Sequence, residues 1–185
     1  MKNKIISIIT LAIFLFSMIG SPSVSAVEMT TEFTFLINDG RMVWESNYNN
    51  MDDGDEDTYA STTHSQDVQR LSSGVDFEET YEITAVHLKV RAYWTSAERD
   101  IVLQPIFSGN KNGDLHPFNC QQGVPQSPSE GWSSWINITN DTNAHSYWTW
   151  DDVEELCCNV TVGDGSSGFN LYCSIVKCRV TYNRI

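Results

Sequence analysis

Five acidic residues occupy six consecutive positions, from Asp52 to Asp57. Carboxylates this close repel one another, and a hard cation such as calcium relieves the repulsion by binding their oxygens. Their alternate spacing is that of the start of an EF-hand loop, but Thr58 replaces the glycine of such a loop and His64 replaces its final glutamate. The pattern argues against an EF-hand and leaves two interpretations, a calcium-braced surface loop and a solvated acidic loop. The candidate calcium ligands are Asp52, Asp53, Asp55 and Asp57.

Aromatic residues are concentrated in the C-terminal third of the chain, at Trp132, Trp135, Tyr147, Trp148 and Trp150. Aromatic rings pack well in the core of a β-protein, and an exposed pair can also stack on a sugar ring. Trp148 and Trp150 alternate just before a predicted helical turn, so we expect one of them to face solvent. These two tryptophans are the candidate residues for binding a surface glycan.

Cysteine spacing favours disulfides over zinc if the chain is secreted. The adjacent pair and the C-x4-C pair do not have the usual C-x2-C spacing of zinc sites. If the last two strands form a hairpin, Cys158 lies opposite Cys173, at a separation that nearly suits a disulfide. We therefore predict a Cys158–Cys173 bridge, and the alternative is that some of the cysteines are buried reduced thiols. Because the count is odd, one cysteine stays free or pairs with another molecule. The five are Cys120, Cys157, Cys158, Cys173 and Cys178.

Three N-x-[ST] sequons begin at Asn137, Asn140 and Asn159. The first two lie three residues apart, which in a secreted chain indicates an exposed loop that carries glycan in a host that modifies it. All three asparagines are candidate glycosylation sites.

No strong catalytic motif is present. The sequence contains no H-E-x-x-H, G-x-S-x-G, Walker or Gly-rich dinucleotide motif. A glycosidase needs two carboxylates that face each other across a cleft, which sequence alone does not reveal. We therefore expect a protein that is not an enzyme, with a hydrolase as the alternative. The four histidines are scattered, at His64, His87, His116 and His145.

The first 26 residues are typical of a secretory signal peptide. Lys2 and Lys4 precede an apolar run at 5–20, Pro22 follows it, and small residues end at Ala26. We expect cleavage after Ala26, which leaves a single domain at 27–185 that is secreted or displayed at the cell surface. An uncleaved anchor is the alternative, although such a short run only marginally spans a bilayer.

Acidic residues dominate the predicted mature chain. The signal peptide holds two of the 11 basic residues and no acidic one, so 9 basic residues face 24 acidic ones and the formal charge is −15. This charge disfavours binding to nucleic acid and to anionic lipid. The expected partners are a surface glycan or other copies of the chain, through a homo-oligomer or an intermolecular disulfide.

The clearest predicted strand spans 80–94 and alternates with a period of two. We expect one face to be buried and the other to face solvent. The buried face holds Val86, Leu88, Val90, Ala92 and Trp94. The solvent face holds His87, Lys89, Arg91 and Tyr93.

The remaining pattern predicts an all-β chain. Thr149 and Asp152 form a capping-box pattern that predicts a short helix, and Gly-rich stretches predict turns at 38–40 and 163–168. A single antiparallel β-sandwich, jelly-roll-like, is therefore the predicted fold. Its last strand places Tyr172, Val176, Cys178, Val180 and Tyr182 on one face. Further strands are predicted at 32–37, 41–45, 101–107, 132–138, 157–162 and 169–182.

Two parts of the chain resemble β-sandwich modules in surface proteins of archaea, bacteria and tailed phages. The first is YNNMDD at 48–53 with DTY at 57–59. The second is YWTWDDV at 147–153, then GSSG at 165–168 and CRVTY at 178–182. The resemblance covers most of 30–182 and implies the fold and a surface setting rather than a chemistry. The cysteine pattern departs from these modules, so the mode of assembly is not carried over.

Two function classes follow. The first is a non-enzymatic extracellular structural or surface-interaction protein, as a subunit of an extracellular assembly. The second is a carbohydrate-binding module with a calcium-braced loop. A free sheet edge or a swapped strand favours the first class, and an exposed aromatic pair favours the second.

Overall fold

The computed structural model describes residues 26–42, 44–64, 67–77, 81–95, 100–163 and 170–184. In these ranges the chain forms twelve β-strands, one 3-10 turn at Tyr48–Met51 and one short α-helix. The strands make two sheets that enclose one apolar core, so the predicted all-β sandwich is confirmed. The predicted signal peptide, apart from its last residue, and most of the predicted turn at 163–168 lie outside the described residues.

The first sheet, sheet A, is built around its two longest strands. Its order is β1 (Val27–Thr34), β12 (Leu171–Arg184), β5 (Glu82–Trp94) and β10 (Ile136–Asn137). Two short strands extend it: β3 (Ala60–Thr62) pairs with β12, and β9 (Gln121–Gln122) runs parallel to β5.

The second sheet, sheet B, closes the other side of the core. Its order is β2 (Ile37–Met42), β4 (Val68–Ser72), β11 (Cys157–Val162), β6 (Asp100–Phe107) and β7 (Lys111–Asn112). β8 (His116–Asn119) also pairs with β6. The predicted turn at 38–40 therefore lies within β2, whose pairing with β4 is irregular between Asn38 and Met42.

Strand β5 confirms the predicted core face and corrects the predicted solvent face. Four core-face residues are fully buried, and Trp94 is partly buried. On the other face Arg91 is only 1% exposed and Tyr93 only 5%. The expectation that these two face solvent is wrong, because loops cover this end of sheet A. The buried core-face residues are Val86, Leu88, Val90 and Ala92.

A β-bulge changes which residues of β12 share a face. Cys173 pairs with Ala92 and Val176 pairs with Val90, so both of these β12 residues face the core although they are three positions apart. Ser174 lies in the register shift between them. Tyr172 consequently lies on the outer face and stacks on Tyr93, with ring centroids 4.5 Å apart. The prediction that Tyr172 shares a face with Val176 is therefore wrong.

Strands β11 and β12 do not form a hairpin. β11 is the centre of sheet B and pairs with β4 and β6, whereas β12 is the centre of sheet A. Cys158 lies opposite Leu71 on one side and Pro105 on the other, and not opposite Cys173. The predicted register is wrong because the chain crosses from one sheet to the other after 162, as sandwich connections do.

The helix α1 (Trp150–Glu154) confirms the capping box. Thr149 accepts a hydrogen bond from Asp152 N at 3.2 Å, and Asp152 Oδ2 accepts from Thr149 N at 2.8 Å. The helix buries Trp150 and Val153 against the core. No helix in the described ranges is long and apolar enough to cross a membrane. The strand predicted at 132–138 shrinks to β10 and an isolated bridge at Trp132.

We predict that Leu88→Ala lowers the free energy of unfolding by about 2–5 kcal/mol, because Leu88 is fully buried between the sheets and truncation leaves a cavity. Urea denaturation measures the change. Lys111→Ala, at an exposed position of β7, is the control and should cost no more than about 0.5 kcal/mol. Similar losses for the two variants would contradict the packing of β5.

Candidate functional site

Aspartate side chains of the acidic loop accept hydrogen bonds from the backbone N–H groups of the same loop. Asp53 Oδ1 accepts a hydrogen bond from Asp55 N at 2.8 Å, and Asp55 Oδ1 accepts from Asp57 N at 2.9 Å. The Thr58 hydroxyl donates to Asp53 Oδ2 at 2.7 Å. These are side-chain turns of the kind that Asp favours in loops. Two of the predicted calcium ligands, Asp53 and Asp55, therefore bind donors of the loop itself.

Glu56 attaches this loop to the outer face of sheet A. Its backbone carbonyl accepts hydrogen bonds from Arg91 Nη1 at 2.5 Å and from the Ser174 hydroxyl at 2.9 Å. Its carboxylate pairs with the Lys177 ammonium. Cations of the sheet thus offset part of the loop's negative charge. Within the described ranges no three His, Cys, Asp or Glu side chains are grouped as a metal site, so calcium in this loop stays a prediction.

Arg91 holds three chain segments together under the covering loops. Besides Glu56, its guanidinium donates to Ser127 O at 3.2 Å and Glu130 O at 3.1 Å, and lies 3.2 Å from Asp57 Oδ1. Its side chain is 1% exposed, whereas that of Asp57 is 83% exposed. Three of its four partners are therefore backbone carbonyls of the covering loops, and the fourth is an exposed carboxylate. Sequence patterning gave no signal for these contacts.

Gly131 allows the covering loop to come this close. It has φ +78°, and a Cβ there would lie 2.7 Å from Pro125 Cγ and 3.4 Å from Arg91 Cγ. Its carbonyl accepts a hydrogen bond from Ala92 N at 2.9 Å, which fastens the loop to β5. Both the positive φ and the close approach favour glycine at this position.

Cations and tryptophans alternate on the rest of the outer face of sheet A, and we call Lys89, Lys177, Arg179, Trp132 and Trp135 the cation–aromatic layer. The Lys89 ammonium lies 4.9 Å from the centroid of Trp132 and 5.4 Å from that of Trp135. Lys177 lies 4.8 Å from Trp132, and Arg179 lies 4.0 Å from Trp135. Each contact is of the cation–π type.

Lysines 89 and 177 are cross-strand neighbours, so their like charges would repel each other in the absence of compensation. The Trp132 ring contacts both ammonium groups, and Glu56 neutralises Lys177. Arg179 pairs with Glu32 of β1 at 2.5 Å. Burial, and secondarily the nearby Arg179 charge, lowers the pKa of His87, which keeps that imidazole neutral at physiological pH. The cation–aromatic layer therefore covers the outer face of sheet A between β5 and β12.

The two candidate glycan-binding tryptophans are both buried. Trp148 is 7% exposed and donates to Thr139 O at 3.0 Å, and Trp150 is 4% exposed and donates to Tyr81 O at 3.1 Å. The expectation that one of them faces solvent is wrong, because α1 begins at Trp150 and ends the strand-like alternation. The exposed aromatic of this segment is Tyr147, at 89%.

A cleft of about 280 Å³ opens beside Tyr147. Trp148 and Ile83 supply its buried apolar part. The other lining residues carry polar groups, and sequence patterning did not identify them because they come from two separate segments. His145 Nε2 is buried 3.3 Å from Asp152 Oδ1 and has no hydrogen-bond partner among the described residues. The polar lining consists of Glu82, Thr84, Thr139, Asn140, His145 and Ser146.

All five cysteines are free thiols in the structure, and the Cys158–Cys173 disulfide stays a prediction. Four of them are buried in the core, and Cys157 is partly exposed. Burial raises the pKa of Cys120 to about 12 and also raises the pKa values of Cys158, Cys173 and Cys178. Cys157 is therefore the accessible cysteine for the predicted intermolecular disulfide.

The sequon asparagines occupy two kinds of position. Asn137 and Asn140 are exposed, as the predicted glycan-carrying segment requires. Asn159 is partly buried on the central strand β11, where it lies between Arg70 and Gln104. Glycosylation of all three stays a prediction.

No protein-family model matches the chain, and no curated protein is detectably similar to it. Function therefore has to follow from the surfaces and side chains described above.

We predict that Arg91→Met lowers the free energy of unfolding by at least about 2 kcal/mol, because the variant leaves buried carbonyls without donors, at about 1–3 kcal/mol each. The loops at 53–58 and 124–130 should also be cleaved faster by protease. The control is Arg184→Met, because Arg184 is exposed and substitutions at such surface positions usually change stability by no more than about 0.5 kcal/mol. Equal effects of both variants in urea denaturation and proteolysis would show that Arg91 is not the anchor.

Thiol reactivity should separate Cys157 from the other cysteines. In the reduced native protein at about pH 8, we expect an alkylating reagent to modify Cys157 within minutes and the four buried thiols only after unfolding, since the thiolate is the reactive form. Peptide mass spectrometry identifies the sites, and Cys157→Ser should abolish the fast phase. Fast modification of Cys158 would contradict the burial.

Proposed function

We propose that the chain is a non-enzymatic extracellular structural or surface-interaction protein that assembles with copies of itself through the free edge of β1. In the described part of the chain, β1 pairs with β12 on one side and with no strand on the other. An eight-residue unpaired edge is a template for adding another strand. This edge is the observation that carries the proposal. The cleaved signal peptide and the jelly-roll-like topology remain parts of it as predictions.

The direction of the hydrogen bonds identifies the groups available at this edge. Phe35 N donates to Val176 O, and the same register continues along β1. Because backbone groups alternate in direction along a strand, Phe33 and Thr31 bond to β12. The N–H and C=O groups of Thr30 and Glu32 therefore point to the free edge.

Two β1 strands can pair without opposing their glutamates. Antiparallel pairing about Thr31 places Thr30 opposite Glu32 of the second copy and Glu28 opposite Thr34. A shift by two residues would place Glu28 opposite Glu32 and is disfavoured by like-charge repulsion. Val27, at 61%, and Met29, at 37%, are exposed apolar residues on the same strand.

The net charge regulates this association. Without the predicted signal peptide each copy carries 9 basic and 24 acidic residues, a formal charge of −15, so two copies repel each other at low ionic strength. Salt screens exposed charges over a Debye length of about 10 Å at 0.1 M. Assembly should therefore strengthen as salt is raised, which is the opposite of an interface held by ion pairs.

We predict that Thr30→Pro abolishes self-association and leaves the monomer folded, because proline removes an outward N–H and no bond to β12. Sedimentation velocity and electron microscopy of the secreted protein, its N-terminus determined by mass spectrometry, measure the assembly. Thr30→Val keeps the N–H and should assemble like the parent.

A second control tests the inferred bond direction. Thr31→Pro removes an N–H that binds β12, so it should lower the unfolding midpoint in urea more than Thr30→Pro does. A parent protein that stays monomeric at every salt concentration would exclude β1-mediated assembly.

A further inference from the structure

The cleft beside Tyr147 lies where the β5–β12 ladder is interrupted. Thr181 pairs with Ala85 and Tyr182 pairs with Ile83, so Thr84 is the extra residue of a bulge in β5. Thr84 lines the cleft and its hydroxyl donates to Thr181 O at 3.2 Å. Bulges occur frequently beside binding sites because they redirect side chains.

Three side chains of the cleft have unused hydrogen-bonding capacity. Glu82, Asn140 and Ser146 make no side-chain hydrogen bond or ion pair with the described residues. Together they offer a carboxylate acceptor, an amide that both donates and accepts, and a hydroxyl that does both. This set matches the vicinal hydroxyls of a sugar, each of which is both donor and acceptor.

Tyr147 adds the stacking surface that a sugar ring needs. The residue is 89% exposed, and its ring contacts no other aromatic ring in the described residues. Beside it, the Trp148 indole is fixed by its bond to Thr139 O, and Thr139 in turn accepts from Val86 N at 2.9 Å. The wall formed by Trp148 and Thr139 is therefore held in place, and the exposed Tyr147 ring is available to a ligand. Small-molecule sites commonly combine such an apolar surface with a few polar groups.

Size and charge restrict the ligand class. A cleft of about 280 Å³ lies just below the usual volume of ligand sites, about 300–1,000 Å³, which favours a single ring over an extended chain. Glu82 and the formal charge of −13 disfavour anionic sugars. We propose that this cleft binds one neutral sugar residue, with Tyr147 stacked on the ring and Glu82, Asn140 and Ser146 hydrogen-bonded to its hydroxyls.

Ligand titration tests this site with protein whose Asn140 is shown to be unmodified by intact-mass spectrometry. The probes are the methyl glycosides of glucose, galactose, mannose and N-acetylglucosamine, with glucuronic acid as the anionic control. We expect saturable shifts in NMR spectra for at least one neutral glycoside, and at least tenfold weaker binding by Tyr147→Ala. Tyr147→Phe keeps the ring and should bind like the parent.

Matched controls separate this cleft from weak binding elsewhere. Leu115→Ala removes another exposed apolar side chain, 65% exposed and outside the cleft, and should leave binding unchanged. Glu82→Gln should weaken neutral binding and relieve the exclusion of glucuronic acid. No saturable binding up to about 50 mM, roughly fifty times a dissociation constant of 1 mM, would overturn the proposal. Equal binding by the parent and Tyr147→Ala would overturn it as well.

Discussion

The buried guanidinium of Arg91 is the contact on which the outer side of sheet A depends. An unpaired charge is very costly inside a protein, so a buried arginine must have its donors satisfied. The donors of Arg91 are satisfied by backbone carbonyls of two loops, so one side chain fastens both loops to the sheet. The same contact gives the acidic loop a positive charge beneath it. A run of carboxylates can therefore be accommodated on the surface through the protein's own cations, whether or not calcium also binds.

Irregularities in the β5–β12 pairing coincide with two features of the sheet, the attachment of the acidic loop and the cleft beside Tyr147. At one bulge the hydroxyl of Ser174 binds the backbone of the acidic loop. At the other, Thr84 lines the cleft beside Tyr147. Between them the register is regular and carries the cation–aromatic layer. A uniform ladder would present a flat face, whereas the bulges redirect side chains at both ends of it.

Local patterns predicted those parts of the structure that local physics determines. The alternation of Val86, Leu88 and Val90 follows from one buried face, and Thr149 with Asp152 caps a helix through bonds within four residues. The burial of Arg91 was not predictable, because it depends on loops that are 34 to 39 residues away in sequence.

The remaining errors have similar causes. The hairpin that placed Cys158 opposite Cys173 assumed that consecutive strands share a sheet, whereas in the sandwich they lie in different sheets. Tyr172 lies on the outer face because of a bulge at Ser174, which the residue types in this segment did not indicate. The cleft combines residues of β5 with a segment more than 50 positions later in the sequence. Its most exposed aromatic residue is Tyr147, whereas the alternating pattern had selected the neighbouring Trp148 as a candidate.

Mechanical behaviour follows from the pairing of β1 with β12. Val27 lies opposite Arg184, so the two ends of the described fold are neighbours at one corner of sheet A. A force that pulls these ends apart acts along the inter-strand hydrogen bonds and breaks them one after another, in unzipping geometry. A force applied along β1 by a neighbouring copy would load the whole ladder at once, in shear. The same fold would thus be weak when pulled apart at its ends and strong when loaded along β1, as it would be in the proposed edge-to-edge assembly.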